Sequence, residues 1–163
     1  MNKFEIRRYQ LGDRERLQAI RELAFRPIHD GFREQLGDEV FKKVRGDEER
    51  KQAAYLDTLM AGEDRHELHV LLHGQIVAGF VGLTVDEDGI GGELDLNAID
   101  PAFQGQGGGR LMYEFALDRL KVLGVRVARV GTGLDNNHAA ARTAYKAVGF
   151  DRSLSWTVLY KLI

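Results

Sequence analysis

The chain has 163 residues, of which 44% are hydrophobic and 29% charged, and this composition predicts a single folded domain spanning residues 1–163. It contains no cysteine, which excludes thiol nucleophiles, cysteine-ligated zinc and iron–sulfur clusters and fits a reducing compartment. The 23 Lys and Arg residues nearly balance the 25 Asp and Glu residues, so the net charge of -2 argues against a nucleic-acid partner.

The first residues of the chain predict mature structure and not a secretory leader. Residues 1–8 interleave charged with apolar side chains, whereas a leader needs an uninterrupted apolar core. The stretch 70–85, which contains no charged residue, is too short for a membrane span and contains a turn signal. We therefore expect a cytoplasmic protein with no membrane partner.

The N-terminal part of the sequence predicts one strand followed by helices. Phe4 and Ile6 alternate with polar residues, which indicates the strand, and Asp13 is suited to cap the helix that follows. The proline ring disfavours a helical residue before it, so this helix is expected to end or kink at Arg26–Pro27. Two further helices are expected between Ile28 and Gly62.

The remainder predicts a strand meander and then a crossover connection. Three antiparallel strands are expected over 68–72, 76–85 and 93–99, separated by turns. A helical stripe over 111–123 and an apolar run over 125–130 then indicate a helix and a further strand. The chain ends with a short helix over 138–148 and a strand-like tail over 154–163.

A glycine cluster stands between the third strand of the meander and the helix. Its glycines are Gly105, Gly107, Gly108 and Gly109. A plain strand-to-helix turn needs fewer glycines, whereas a phosphate group that approaches the backbone needs side chains to be absent. A dinucleotide fingerprint fails at Arg110, where its third glycine should stand, and no Gly-Lys-Ser/Thr follows to make a P-loop.

The pattern that remains is Gln-x-x-Gly-x-Gly over 104–109, preceded by Ile99-x-Pro101. It resembles the acyl-CoA pyrophosphate loop of the GNAT superfamily of N-acetyltransferases. A second segment, 137–150, is similar to the family signature Asn-x-x-Ala-x-x-x-Tyr-x-x-x-Gly-Phe, with His138 where the family usually has Asn. The resemblance implies an α/β fold, with a mixed, mostly antiparallel sheet of six to seven strands flanked by four to five helices.

The resemblance also implies acetyl-CoA as co-substrate, no metal, and a set of cofactor-binding residues. The implied contacts are Ala98, Ile99, Gln104, Gly105, Gln106, Gly107, Gly108, Gly109, Arg110, Asn137, His138 and Ala141. A backbone N–H near Ala98 or Ile99 would stabilise the oxyanion. His69 and His73 share a strand face, but no carboxylate motif accompanies them, and we expect no metal site.

Acetyl transfer to an amine needs a base, because an alkyl ammonium of pKa about 10 is neutral only about one part in a thousand at pH 7. By the two-residue period of a strand, Glu93, Asp95, Asn97 and Ile99 are predicted to share one face. Glu93 is the first candidate base, and a solvated acid at a strand start is the alternative. Asp95 and Asn97 are interpreted as polar groups of the acceptor pocket.

The resemblance assigns Tyr145 as the general acid that protonates the departing thiolate, with a core aromatic as the alternative. It also places Phe25, His29 and Phe32 at the acceptor site, where mixed charge and aromatic surface indicate a small polar amine. Without cysteine, transfer is expected to be direct, in a ternary complex.

The leading hypothesis is therefore an acetyl-CoA-dependent N-acetyltransferase acting on a small-molecule amine. The alternative is a catalytically silent acyl-CoA-binding or sensor module, and either function is compatible with a homodimer.

Overall fold

The computed structural model describes residues 4–63 and 65–163. Residues 1–3, which the sequence predicts to be mature structure, lie outside the described residues. Five strands form one sheet in the order β1-β2-β3-β4-β5. They are β1 (Phe4–Arg8), β2 (His66–His73), β3 (Ile76–Val85), β4 (Gly91–Ile99) and β5 (Val127–Val130). The first four pair antiparallel, and β5 runs parallel to β4.

Helices cover both faces of this sheet. They are α1 (Arg14–Leu36), α2 (Asp38–Arg45), α3 (Glu48–Ala61), α4 (Gly108–Val122) and α5 (Ala139–Ala147). One core lies between the sheet and α1 and α3, around the fully buried Leu17, Leu56 and Phe80. The other lies between the sheet and α4 and α5, around Leu94 and Met112. We call the two sides of the sheet the α1 face and the α4 face.

The α/β class and the mostly antiparallel sheet are confirmed, but the described residues form five strands, not six to seven. The difference lies at the C-terminus, where residues 151–163 have no regular secondary structure and are exposed. A strand needs a neighbouring strand to pair its backbone groups, and in this chain the segment has none.

The first helix does not end at Pro27, as one reading of the sequence predicted, but continues to Leu36. Proline removes the N–H that would bond the carbonyl of Leu23, four residues earlier. Leu23 is 42% exposed, so water can reach this part of the helix and satisfy that carbonyl. The two helices expected before Gly62 are confirmed as α2 and α3.

Within the described residues, no helix has both the length and the apolar character that crossing a membrane requires.

Candidate active site

Strands β4 and β5 separate halfway along β4. Their parallel pairing runs from Gly91 opposite Val127 to Leu94 opposite Val130. The second half of β4, residues 95–99, therefore has no strand on this side. Its outward peptide groups face a gap in the sheet, which is the kind of opening in which an extended ligand can pair with a strand edge.

A β-bulge in β4 lies at the start of this gap. Val81 of β3 pairs with Asn97 and Leu83 pairs with Leu94, so two residues of β4, 95 and 96, lie opposite the single residue Gly82. A Cβ on Gly82 would lie 2.7 Å from Leu59 Cδ1 on α3, so glycine allows the bulged strand and α3 to approach this closely.

The bulge overturns the prediction that four alternate residues of β4 share one face. Asp95 accepts a hydrogen bond from Tyr55 of α3, and Glu93 pairs across the sheet with Thr84, whose hydroxyl also donates to Asp95. Glu93 and Asp95 thus lie on the α1 face. Asn97 contacts helices of the α4 face, and Ile99 packs in that core. One extra residue shifts the alternation and sends the two pairs to opposite faces.

On the α4 face, two buried tyrosines meet at one amide oxygen. Tyr113 of α4 donates to Asn97 Oδ1 at 2.8 Å, and Tyr145 of α5 donates to the same atom at 3.1 Å. The ring centroids lie 4.7 Å apart. Burial raises the pKa of both hydroxyls above the ordinary value for tyrosine, so both remain protonated at neutral pH.

Tyr113 is absent from the sequence-predicted site. Its spacing to the buried Ala116 and Leu120, three and seven residues on, places it on the inner stripe of α4 and was the available signal. A buried tyrosine normally finds a partner for its hydroxyl, so a tyrosine on this inner stripe predicts a polar group opposite it.

On the α1 face, Glu93 belongs to a charged group at the sheet edge. Arg129 of β5 contacts it at 2.8 Å and contacts Asp86 at 2.6 Å. Burial raises the pKa of Glu93, as does the neighbouring Asp95, while Arg129 opposes the rise. Glu93 is therefore a carboxylate of raised basicity that keeps 31% of its side chain exposed.

Asp95, beside it, is held by several donors. Tyr55 donates at 2.5 Å, Thr84 at 2.6 Å and the backbone N–H of Leu96 at 2.8 Å. Burial and Asp95 raise the pKa of Tyr55, which keeps this hydroxyl a donor. Because its oxygens already accept these hydrogen bonds, Asp95 is better suited to hold Tyr55 and Thr84 in place than to serve as the base. The sequence did not predict Tyr55 as a site residue either, because its apolar neighbours on α3 indicate a core position.

The glycine cluster forms the entry to α4. Gly107 precedes the helix with φ of +86°, in the left-handed region that favours glycine. The first helical bond is donated by the Leu111 N–H, so the N–H groups of 108–110 lack acceptors within the helix. Gln104 donates with its side chain to the Ile99 carbonyl at the end of β4, Gln106 donates to the Ala102 carbonyl, and Arg110 pairs with Glu114 at the surface. The arrangement is that of an anion site.

Of the two backbone groups proposed for the oxyanion, Ile99 faces the gap. The N–H of Asp100 donates to the Ala78 carbonyl, toward β3. Peptide groups alternate in direction along a strand, so the Ile99 N–H points away from β3, to the side on which β4 has no neighbour. Ala98, next to it, directs its carbonyl toward Gly79 of β3.

Two residues predicted to hold the cofactor lie against α1. Asn137 donates to the Pro27 carbonyl at 3.0 Å, and the ring of His138 lies 6.3 Å from that of Phe32. His138 Nδ1 is also 2.6 Å from Asp135. The third residue of this signature, Ala141 on α5, packs half-buried against the α4-face core.

The predicted acceptor segment lies on α1. Phe25 packs against the α1-face core, and the buried Nε2 of His29 has no protein partner. The ring of Phe32 lies 4.7 Å from the Arg45 guanidinium. The segment thus belongs to the face that carries Glu93 and Asp95, whereas Asn97 is directed to the other face. Within 4–63 and 65–163, no cluster of three His, Asp or Glu residues suited to a metal is found.

A family model described as Acetyltransferase (GNAT) family matches residues 24–150, more than half of the chain. A search of curated protein sequences found no match.

Solved structures share the fold at low identity. A GNAT family acetyltransferase from Brucella melitensis in complex with acetyl-CoA is 22% identical, with a TM-score of 0.64 over 93% of this chain and 85% of that one. The ribosomal-protein-S18-alanine N-acetyltransferase of Escherichia coli is 20% identical, with 0.65 over 93% and 79%. An aminoglycoside antibiotic 6'-N-acetyltransferase from Acinetobacter haemolyticus is 14% identical, with 0.65 over 98% and 99%.

Proposed function

The chain belongs to the GNAT family of acetyltransferases, and on that premise we propose that it transfers the acetyl group of acetyl-CoA to a primary amine of a small polar acceptor by direct attack in a ternary complex. The observation that carries the proposal is the gap between β4 and β5, with a buried tyrosine hydroxyl on one side and a carboxylate on the other. The glycine-rich start of α4 follows the end of β4 that borders this gap.

Acetyl-CoA is proposed to bind along the free edge of β4. Its pyrophosphate would accept hydrogen bonds from the N–H groups of 108–110, where the helix dipole favours negative charge. The pantetheine arm would take the place of the missing strand beside 95–99. The Ile99 N–H would then stabilise the oxyanion that forms on the thioester carbonyl.

Tyr145 is proposed as the general acid. When the tetrahedral intermediate collapses, the carbon–sulfur bond breaks and the departing thiolate takes the proton of the Tyr145 hydroxyl. The raised pKa of Tyr145 keeps the hydroxyl protonated at neutral pH, which is the state that a general acid requires.

Glu93 is proposed as the base, acting directly or through water, and the amine would approach from the α1 face. The acid and the base then stand on opposite faces of the sheet, on either side of the reacting carbonyl. This separation suits the reaction, because the amine loses a proton on the side where it attacks while sulfur gains one on the side where it leaves.

The charge of the α1 face supports a cationic acceptor. Asp86, Glu93 and Asp95 place three carboxylates near the guanidinium of Arg129, while the nearby Arg65 is paired with Glu87. An acceptor ammonium group would compensate the excess negative charge and be held close to its base. The likeness to an aminoglycoside acetyltransferase also supports a cationic amine as the acceptor.

We also propose a cytoplasmic location, which the absence of cysteine supports.

The test is turnover with acetyl-CoA and a panel of polyamines, amino sugars and neutral-chain amines, with free thiol and acetylated product both measured. We expect thiol release that requires an amine and is faster for acceptors carrying a second positive charge. Tight acetyl-CoA binding without thiol release from any amine would instead favour the silent acyl-CoA-binding module.

A further inference from the structure

A largely buried ion pair connects α1 to the end of β4, immediately before the glycine cluster. The guanidinium of Arg16 on α1 donates to Asp100 Oδ2 at 2.5 Å. Asp100 is 7% exposed, and its partner stands 84 residues earlier in the chain. The attraction within a buried ion pair is largely offset by the cost of removing the charges from water, so stability alone does not account for such a pair.

The Asp100 carboxylate fixes the first turn of the segment that leads to the glycine cluster. Its other oxygen, Oδ1, accepts a hydrogen bond from the Ala102 N–H at 2.8 Å and so caps the single helical turn Pro101–Phe103. Each carboxylate oxygen therefore has its own donor, one from this turn and one from α1. After the turn, the Gln104 side chain donates to the Ile99 carbonyl at 3.0 Å. The chain is thus held on both sides of the turn as it leaves β4.

Arg16 also joins the end of β4 to β3. Its Nε donates to the Val77 carbonyl at 3.0 Å, and the next carbonyl of β3, that of Ala78, accepts from the Asp100 N–H at 2.8 Å. The second half of β4 has no strand on the side of β5, so its direction depends on β3 and on α1. Leu17, which follows Arg16, is fully buried and holds this turn of α1 against the sheet.

The group whose direction is set here is the Ile99 N–H. Successive N–H groups of a strand point to opposite sides, so the bond from the Asp100 N–H to β3 also directs the Ile99 N–H into the gap. A backbone donor stabilises an oxyanion only when it is aimed at the position where the negative charge develops. A shift of Asp100 would therefore move this donor away from the thioester carbonyl.

We propose that Arg16 and Asp100 are positioning residues for acetyl transfer, which hold the Ile99 N–H in line with the thioester carbonyl and fix the path of the chain into the glycine cluster. The proposal rests on the proposed function, in which this N–H stabilises the oxyanion. Their effect reaches the reaction through the backbone of residues 99–102. Helix α1 then serves both substrates, because its later residues 25–32 form the proposed acceptor segment.

The first test compares Arg16→Gln with Arg14→Gln in acetyl transfer. Arg14 lies on the same helix and pairs with Asp57 of α3 at 2.9 Å, so the control removes an ion pair that does not reach β4. We expect Arg16→Gln to lower kcat by roughly ten- to a hundredfold, because a small misplacement of a catalytic group causes losses of this size, while KM for the acceptor stays near its wild-type value. Arg14→Gln should stay within about twofold of the wild type. An Arg16→Gln enzyme with the wild-type kcat overturns the proposal.

Two further variants keep the test decisive if Arg16→Gln folds poorly. Asp100→Asn retains an acceptor for the Ala102 N–H but removes the charge that faces Arg16, and Arg16→Lys retains the charge but lacks the planar fork that reaches two acceptors. Each should lower kcat. The double variant Arg16→Gln with Asp100→Asn should be no slower than the slower single variant, because the two residues act as one unit. Losses that multiply in the double variant would show that the residues act separately, and the proposal would be wrong.

The second test measures the hydrogen bond to the thioester directly. Acetyl-CoA labelled with ¹³C at the carbonyl is bound without an acceptor, and its stretching frequency is measured by infrared difference spectroscopy. A hydrogen bond weakens the carbonyl bond, so we expect a lower frequency in the wild type and in Arg14→Gln than in free acetyl-CoA, and a smaller decrease in Arg16→Gln. A merely structural role would reduce the amount of folded protein but leave the band of the folded fraction in place.

The outcomes separate this proposal from the proposed function. Arg16→Gln with the full wild-type decrease overturns the positioning role alone. A wild type that binds acetyl-CoA with no decrease in frequency removes the Ile99 N–H from the reaction, and it overturns both the oxyanion assignment and the positioning role.

Discussion

At the scale of single residues, the candidate site contains two tyrosines that share one acceptor atom but lie on different helices. Both are buried in the α4-face core, and Tyr113 makes the shorter bond to Asn97, 2.8 Å, from α4. Tyr145 makes the longer bond, 3.1 Å, from α5. A longer bond costs less to break when the hydroxyl turns to another acceptor, which is consistent with our proposal that Tyr145 is the proton donor of the two.

We predict that Tyr145→Phe lowers kcat by roughly ten- to a thousandfold while the Kd for acetyl-CoA stays near its wild-type value. The substitution preserves the ring packing and removes only the proton. Tyr113→Phe is the matched control, because it removes a bond to the same Asn97 oxygen, and kcat should change by less than about threefold. Equal losses in the two variants would mean that Asn97, not a tyrosine proton, is what the reaction needs.

The raised pKa of Glu93 leads to a prediction about pH. A base must be deprotonated to act, so kcat/KM should rise as the pH passes through the pKa of Glu93, which burial and Asp95 hold above the ordinary glutamate value. Glu93→Gln should leave only the rise due to ionisation of the free amine. The two profiles are expected to converge near pH 10, because the amine is then mostly neutral and the base has no further contribution to make.

The control for this experiment is Glu87→Gln, an exposed residue just after β3, which should leave the profile unchanged. A Glu93→Gln enzyme that is slower by the same factor at every pH would show that Glu93 positions the acceptor or supports the strand.

At the scale of elements, the regular features could be predicted from the sequence and the irregular ones could not. Strand β3 has its predicted bounds, and the helix predicted after the glycine cluster is present, although it begins at Gly108, within the cluster. The bulge in β4 was invisible, because Asp95 and Leu96 look like ordinary members of an alternating strand. It lies opposite Gly82, where Leu59 of α3 approaches the sheet closely, and this one extra residue reversed the face assigned to half of the candidate site.

The same reasoning explains the other two errors. Local sterics at Pro27 favour a helix end, but core packing of Ala24 and Phe25 before it and ring contacts of Phe32 after it keep α1 continuous. The C-terminal alternation does indicate a strand, yet a strand exists only where another strand pairs with it, and that requirement is not encoded in the segment itself.

The conformation of Gly107 allows a test of the anion site. We predict that Gly107→Val removes measurable affinity for acetyl-CoA, because valine disfavours φ of +86° and the N–H groups at the start of α4 lose their arrangement. Gly89→Val is the matched control: Gly89 has φ of +68° in the turn before β4, and a Cβ there meets nothing within 4 Å, as at Gly107. Both variants should lose roughly 1–2 kcal/mol of stability, but only the first should lose binding by calorimetry.

At the scale of the whole molecule, ion pairs connect the sheet to the helices around it. Arg7 of β1 contacts Asp13 at the start of α1 at 2.7 Å, and Arg119 of α4 contacts Glu67 of β2 at 2.6 Å. Both carboxylates are largely buried, and the hydrogen bonds from their arginines are the main cause of their lowered pKa values. His69, close to Glu67, is buried in the same region, and burial lowers its pKa.

These shifts predict that acid destabilises the fold in two stages. His69 has a lower pKa when folded, so below its unfolded pKa of about 6.5 the unfolded chain binds a proton that the folded chain does not, and stability begins to fall. The carboxylates also have lower pKa values when folded, so their stabilisation is complete above about pH 4 and is lost as the pH falls through their folded values. Urea unfolding at a series of pH values should show both stages.

Three variants test this assignment. His69→Leu should remove the first stage. Asp13→Asn should cost about 1–3 kcal/mol at pH 7 and weaken the second, since it breaks a charge-assisted bond in a largely buried place. Asp38→Asn, whose side chain is 93% exposed, is the control and should change neither stage. A first stage that survives His69→Leu would assign it to another group, and the buried imidazole would then have no part in the pH dependence of the fold.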